Sequence, residues 1–274
     1  MTHYQNKVVA ITGAASGIGK GFVDYFTQAG ADVILLDVSP RTSQLAEELR
    51  DKGFSCTARK LDVVDKQSFE DQLLAVVEEH GRLDILINCA GIAVLGSAED
   101  VSFEQFKKVI DVDLMGVIHG SLAAYNIMIK QKSGQIINIA SLAGLIPSAL
   151  GLAYSTAKHG VVGFSESLRL EASFHNVKVN VVCPSFVDTA ILDSPKENMK
   201  ESAMAAIVRQ AGGKISVEAC IEEVMRAIDK NQARIVVPRS ARTIFAIFRY
   251  FPESFRRLVL KAARKIRKFR IEEI

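Results

Sequence analysis

The chain has 274 residues, of which 49% are apolar, 24% are charged and 7% are aromatic. These values exclude an intrinsically disordered chain, a collagen-like repeat and a small protein held together by disulfides. The apolar runs stay below the roughly 18 residues that a spanning helix needs, so the sequence does not predict an integral membrane protein.

The net charge of +3 is unevenly distributed along the chain. Residues 240–274 hold ten Lys and Arg residues against three Glu residues, a net charge of +7, so the rest of the chain carries −4. We therefore consider the function of the acidic body and the function of the basic tail separately. The acidic body and the lack of a base-reading or aromatic platform indicate that nucleic acid is not the partner.

The cysteines indicate the compartment. Cys56, Cys89, Cys183 and Cys220 lie far apart and show neither CxxC pairs nor metal-ligand spacing. This pattern is typical of reduced thiols in a cytoplasmic protein without a bound metal. The N-terminal residues lack the layout of a signal peptide, which favours the same interpretation.

Short β-branched runs alternate with segments of helical periodicity along most of the chain. Most of the runs are continuous in Val, Ile and Leu, as expected for parallel strands buried on both faces. We therefore predict a Rossmann-like, doubly wound parallel sheet of about seven strands flanked by helices, in one domain over residues 1–240. A basic amphipathic helical extension is predicted over residues 241–274. The predicted strands are Lys7–Thr12, Asp32–Asp37, Phe54–Leu61, Leu83–Asn88, Gln135–Ala140, Val177–Cys183 and Arg234–Pro238.

A glycine-rich turn follows the first predicted strand and leads into a helix. Glycines at such a turn allow close backbone approach to a pyrophosphate, and the helix N-terminus offers free N–H groups. Asp37 ends the second predicted strand, where a carboxylate can accept both ribose hydroxyls of NAD and would repel the 2′-phosphate of NADP. Arg41 lies nearby in sequence, so NADP stays open as the second choice. The candidate cofactor residues of the turn are Gly13, Ser16, Gly17, Ile18 and Gly19.

Two further strand ends carry residues compatible with a ligand. Asp62 and Val63 follow the third predicted strand, and Asp62 is placed to meet an adenine. Asn88 ends the fourth, and Ala90 and Gly91 follow it. Because an open α/β sheet binds its ligand at the carboxyl ends of its strands, we assign these five residues to the cofactor site.

A catalytic set is predicted after the fifth strand. Tyr154 and Lys158 are four residues apart and so share one face of a helix. A lysine beside a phenol favours the phenolate and lowers the pKa of the tyrosine. Ser141, at the end of the fifth strand, can hydrogen-bond the reacting oxygen. An ordinary amphipathic helix with a solvated lysine is the alternative interpretation.

Together these residues resemble the classical short-chain dehydrogenases and reductases over about residues 5–240. The resemblance implies hydride transfer between a nicotinamide and an alcohol or carbonyl, without a metal. It implies that Tyr154 is the general acid/base, that Lys158 holds the nicotinamide ribose, and that Ser141 positions the substrate oxygen. Val187 and Thr189 would contact the carboxamide of the cofactor. The motifs are Thr12-Gly13-xxx-Gly17-x-Gly19, Asn88-x-Ala90-Gly91, Ser141, Tyr154-xxx-Lys158 and Pro184–Thr189.

Asp113 departs from the pattern of this family, which usually has Asn at the matching position. In the family that Asn binds a water of the proton relay behind the lysine. An Asp is nearly isosteric but brings a charge or a proton. We therefore expect a working relay with an altered pH profile and count Asp113 with the catalytic residues.

The segment over about residues 189–216 resembles the mobile substrate lid of the family. Apolar residues in the lid and before Tyr154 favour a hydrophobic substrate over a sugar or polyol, although the same residues could pack the lid itself. Met199 is a further inward candidate. Besides Ser141, the candidate substrate residues are Leu142, Leu150, Phe186, Ile191 and Leu192.

The tail is the part least like the family. From Ser254, a good N-cap, an apolar stripe that includes Phe255 and Leu258 is surrounded by basic residues. Such a helix over 254–271 suits peripheral contact with an anionic membrane. The alternative is that the stripe packs on the body or on a partner subunit. The resemblance also implies a homodimer or homotetramer.

The leading hypothesis is an NAD-dependent oxidoreductase that interconverts an apolar secondary alcohol and its carbonyl, such as a steroid, retinoid or lipid derivative. The alternative is a nicotinamide-binding, membrane-docked sensor or scaffold without efficient turnover, in which Asp113 marks lost chemistry.

Overall fold

The computed structural model describes residues 3–198, 200, 202–210 and 212–266. All seven predicted strands are present, each within three residues of its predicted ends. They form one parallel sheet in the order β3-β2-β1-β4-β5-β6-β7. The strands are β1 (Val8–Thr12), β2 (Asp32–Asp37), β3 (Cys56–Lys60), β4 (Ile85–Asn88), β5 (Gly134–Ile139), β6 (Val177–Pro184) and β7 (Arg234–Val237).

Ten α-helices connect and follow these strands in the described residues. A π-helical turn over Asp111–Met115 joins α4 to α5, so that one continuous helix runs from Phe103 to Gln131. The helices are α1 (Gly17–Gln28), α2 (Arg41–Asp51), α3 (Lys66–His80), α4 (Phe103–Ile110), α5 (Gly116–Gln131), α6 (Leu152–Ala172), α7 (Ser202–Gln210), α8 (Val217–Ile228), α9 (Arg239–Tyr250) and α10 (Pro252–Ile266).

Helices cover both faces of the sheet, as its unbroken apolar strands predict. Val9 and Ile11 of β1 pack in one core with residues of α1, α2 and α8. Val8 and Ala10 of the same strand pack in a second core with residues of α3, α5 and α6. Alternate side chains of a strand point to opposite faces, so each face of β1 is buried. The fold prediction is confirmed.

The continuous helix Phe103–Gln131 is long and apolar enough to cross a membrane, with a mean hydropathy of 1.3 over its most apolar window. Half of that window is buried inside the fold, where the C-terminal half of the helix packs on β4 and β5. Core helices of globular domains have the same length and composition, so this helix is weak evidence for a membrane span.

The two helices after β7 differ from the predicted tail. The apolar segment before Pro252 is itself a helix, α9, which packs on β7, and α10 packs on α9 and on α7. Ser254 does not cap α10, because the helix already begins at Pro252, a residue whose fixed φ suits a first helical position. Phe255 of the predicted stripe is buried, and its ring lies 5.4 Å from that of Phe248.

Candidate active site

The carboxyl ends of the strands open into one large cavity of about 1550 Å³. It exceeds the roughly 300–1,000 Å³ of a typical site for one small molecule. Residues that follow β1, β2, β3, β4, β5 and β6 line it, together with residues of α6, the lid segment, α9 and α10. The cavity therefore has room for a dinucleotide and a second molecule.

Two glycines of the glycine-rich turn have no space for a side chain. Gly13 has φ of +67°, and a Cβ atom there would lie 2.8 Å from the Cα atom of Ala90. A Cβ atom on Gly19 would lie 2.0 Å from the carbonyl oxygen of Gly13. The backbone after β1 is therefore packed against the backbone after β4 and against the first turn of α1. Gly13, Ser16, Gly17, Ile18 and Gly19 all line the cavity at the N-terminus of α1, where a pyrophosphate fits.

Thr12 holds two of the cofactor loops together, a role that the sequence analysis missed. Its hydroxyl oxygen accepts hydrogen bonds from the N–H groups of Cys89 (3.0 Å) and Ala90 (3.1 Å). The side chain thereby fixes the turn after β1 to the loop after β4. A small hydroxyl residue at the last position of β1 is the sequence signal that could have indicated this bond.

Asp37 lies at the end of β2 on the cavity wall. Its carboxylate accepts hydrogen bonds from the N–H groups of Ala15 (3.0 Å) and Ser39 (2.9 Å). The acid is therefore held beside the glycine-rich turn, as required for contact with a ribose. Asp62 and Val63 also line the cavity, whereas Arg41 does not. No described Lys or Arg at the ends of β1, β2 or β3 lines the cavity, where it could attract a 2′-phosphate.

Asn88 is placed differently from its prediction as a cofactor ligand. It does not line the cavity, although Ala90 and Gly91 do. The side chain is buried inside the sheet layer, where its amide donates hydrogen bonds to Asn138 (2.8 Å) and Ser121 (3.1 Å). A buried amide needs such partners, so Asn88 joins β4, β5 and α5 rather than reaching a ligand.

Tyr154, Lys158 and Ser141 come together on one wall. Lys158 is buried, its Nζ atom lies 5.4 Å from the centroid of the Tyr154 ring, and it donates a hydrogen bond to the carbonyl of Ile139 (3.1 Å). Ser141 follows β5, and its hydroxyl caps a short 3₁₀ turn by accepting from the N–H of Ala143 (3.1 Å). All three residues line the cavity.

Asp113 lies behind this set and does not line the cavity. The π-helical turn carries it into the interior, where it is 0% exposed. One carboxylate oxygen accepts from the N–H of Ile92 (2.8 Å), and the other lies 3.0 Å from Nζ of Lys158. Asp113 therefore contacts Lys158 and not the cavity, and its part in a proton relay behind the lysine stays a prediction.

Most of the predicted substrate residues share the cavity wall. Leu142, Phe186, Ile191 and Leu192 line it, and Val187 and Thr189 lie on the adjoining cofactor side. Leu150 does not line it: its backbone has φ of +65° and its carbonyl accepts from the N–H of Gly96, while its neighbours Ala149 and Gly151 reach the cavity. Met199 lies outside the described residues.

A model of the family described as short chain dehydrogenase matches residues 7–200. The chain is 36% identical over 221 residues to oxidoreductase UcpA of Salmonella typhimurium, which covers 77% of this chain and 84% of that protein. It is 38% identical over 207 residues to human 15-hydroxyprostaglandin dehydrogenase [NAD(+)], which covers 72% of this chain and 75% of that protein.

The chain belongs to the short-chain dehydrogenase family. Among solved structures, a short-chain dehydrogenase/reductase from Burkholderia phymatum in complex with NAD superposes with a TM-score of 0.84. The alignment covers 92% of this chain and 96% of that one at 26% identity. The predicted family is confirmed, and with it the prediction that the protein is an enzyme that oxidises or reduces its substrate.

For a dehydrogenase, the charge of Asp113 bears directly on the tyrosine. Burial raises the pKa of Tyr154, the positive charge of Lys158 lowers it, and the carboxylate of Asp113 raises it again, with a net rise. Lys158 thus acts in the predicted direction, but burial outweighs it. Burial also lowers the pKa of Lys158, while Asp113 and Tyr154 raise it to a net value above normal.

We expect Asp113→Asn to move the pH profile of alcohol oxidation. Removing the carboxylate removes a charge that raises the pKa of Tyr154, and the predicted role of Tyr154 as general base in alcohol oxidation requires its phenolate. The rise of kcat with pH should therefore shift downward by about one pH unit. Steady-state rates across a pH series measure it. An unchanged profile would mean that Asp113 carries no charge during turnover.

Proposed function

We propose that this dehydrogenase uses NAD to interconvert an apolar secondary alcohol and its ketone. The observation that carries the proposal is the convergence of Ser141, Tyr154 and Lys158 on a cavity whose remaining wall is mostly apolar. The human relative is named for a hydroxyprostaglandin and NAD(+), and the Burkholderia structure contains NAD. These relatives support the cofactor and the class of substrate.

The chain's own residues divide the work of alcohol oxidation. NAD, when bound, would supply the acceptor for the hydride. Ser141 donates a hydrogen bond to the substrate oxygen and fixes its position. Tyr154, as phenolate, removes the hydroxyl proton while the carbon loses its hydride, which leaves a carbonyl. Lys158 stabilises the phenolate, and its ammonium is held in place by Asp113 and by the carbonyl of Ile139. The reverse direction returns the same proton to the carbonyl oxygen.

Tyr154→Phe should lower kcat by at least about a hundredfold, because general acid/base catalysis typically contributes that much. Binding of NADH should stay within a few-fold of wild type. The measurement is NAD reduction by absorbance across a panel from polyols to steroids and long-chain secondary alcohols, with NADH binding followed by fluorescence. Turnover by the variant at the wild-type rate would contradict the assignment of Tyr154 as the general acid/base.

The alternative is a nicotinamide-binding sensor or scaffold without efficient turnover. The intact set of Ser141, Tyr154 and Lys158 on the cavity wall favours the enzyme. Wild-type protein that binds NADH but oxidises no member of the panel would favour the alternative.

We infer a preference for NAD over NADP from Asp37. A carboxylate held beside the glycine-rich turn repels a second negative charge, and such juxtaposition costs several kcal/mol. Asp37→Ser should therefore raise the ratio of kcat/KM for NADP to that for NAD by at least about tenfold. Asp62→Ser is the matched control, since Asp62 also ends a strand on the cavity wall but should leave the ratio unchanged. A ratio that does not rise in the first variant would contradict the role of Asp37.

We also propose peripheral contact with an anionic membrane through the surface of α9 and α10. Tyr250 and Phe251 are 73% and 65% exposed, and Leu260, which does not line the cavity, is exposed as well. Bases lie among them on the same two helices. Phe255 is buried and Val259 and Ala262 are half-buried, so part of the predicted stripe packs on the body, as the alternative interpretation held. The residues that face outward, rather than the whole stripe, support the membrane proposal.

Because the sequence has no tryptophan, Phe251→Trp gives a single fluorescent reporter. Its emission should shift to shorter wavelength with vesicles of phosphatidylcholine and phosphatidylglycerol, and far less with phosphatidylcholine alone. Phe174→Trp is the control, because Phe174 is 84% exposed and precedes β6, at the opposite edge of the sheet from the cavity. Equal emission with and without anionic vesicles would discard the membrane proposal.

The compartment and the assembly follow as further proposals. We propose a cytoplasmic protein, which is supported by the four free cysteines, three of them buried. A homodimer or homotetramer is supported by exposed apolar side chains on α5 and α6, among them Leu122 and Leu170. Light scattering on the purified protein measures the assembly.

A further inference from the structure

The residues that α10 contributes to the cavity wall change from apolar to basic along the helix. Its first turns contribute the apolar residues Phe255, Leu258 and Val259, and its later turns contribute Lys261, Arg264 and Lys265. The helix therefore presents an apolar surface followed by a basic one to the same space. The lid residue Ile207 and the α9 residues Ile244 and Ile247 extend the apolar part.

The three bases have no acidic partner within the described part of the chain. Within the described part of α10, Arg256 forms an ion pair with Glu253 in the first turns of the helix. Neither of these two residues lines the cavity. The acidic residues on the described lining are Asp37, which ends β2, and Asp62, which follows β3, both on the cofactor side. Uncompensated cations on the wall of a mostly apolar space attract an anion from solution.

We propose that the substrate is an amphipathic alcohol with an anionic group, and that Lys261, Arg264 and Lys265 bind this group. The apolar part of the cavity holds the body of the substrate, and the reacting alcohol lies at Tyr154. A long-chain hydroxy acid, with its carboxylate remote from a secondary alcohol, is the class of compound that fits. The inference rests on the proposed function for the reacting end only.

The expected effect is moderate and depends on salt. Lys261, Arg264 and Lys265 are all exposed, so their attraction for a carboxylate is weakened by water and by ions. Three such charges acting together should favour an acid over its neutral ester by about tenfold in affinity. The preference should decline as salt is raised, and it should appear in KM rather than in kcat, because the bases do not touch the reacting atoms.

The decisive experiment compares ligands that differ only in charge. Binding of laurate and of methyl laurate to the NADH-saturated protein is measured by calorimetry, without vesicles and below micelle-forming concentrations. Wild type should bind laurate about tenfold more tightly. The variant Lys261→Gln/Arg264→Gln/Lys265→Gln should bind the two equally. Arg256→Gln/Arg257→Gln is the matched control, since it removes two bases of the same helix that do not line the cavity.

Turnover of (ω−1)-hydroxylaurate and its methyl ester then separates the two proposals. If wild type prefers laurate, the triple variant does not, and neither alcohol is turned over, the result supports the anion site and contradicts the proposed reaction. The anion site would be overturned if wild type bound laurate and its ester equally and turned over both alcohols with equal KM. The proposed reaction would still be supported by that result. Loss of the preference in the Arg256/Arg257 control would also overturn it, because the effect would then arise from the charge of the whole helix.

Discussion

Burial of the sheet on both faces is the constraint on which the rest of this molecule depends. With helices on each side, the carboxyl edge of the strands is where polar side chains and irregular backbone can meet a ligand. Four features of this edge are therefore neighbours in space, although more than 120 residues separate the first from the last. They are the turn after β1, Asp37 at the end of β2, the loop after β4 and Ser141 after β5. Thr12 shows how closely these loops are coupled, because a single hydroxyl holds two of them.

The ion pair of Lys158 and Asp113 adds a second layer behind the cavity. Two buried charges are stable together only when each satisfies the other, so the pair fixes the ammonium in place at a cost in desolvation. The same carboxylate opposes the effect that the ammonium has on Tyr154. The buried carboxylate that holds the ammonium therefore also raises the pKa of the tyrosine that we propose as the general acid/base.

Much of this arrangement could be predicted from the sequence, because the signals are local. Short β-branched runs between segments of helical periodicity indicated all seven strands, and the spacing of Tyr154 and Lys158 placed them on one helical face. Contacts between distant segments were not predictable in this way. The amide of Asn88 is held by Ser121 and Asn138, and Asp113 faces a lysine 45 residues later in the chain. The start of α10 was misjudged because Ser254 is a good cap in isolation, whereas Pro252 begins the helix earlier.

The position of α10 along the chain has a consequence for engineering. The family model ends at residue 200, yet this later helix supplies one wall of the space where the substrate would lie. The proposed catalytic residues and the glycine-rich turn lie on elements that precede it. Exchanging α9 and α10 for those of a relative is thus a way to transplant selectivity for the body of a substrate while the reaction chemistry stays in place.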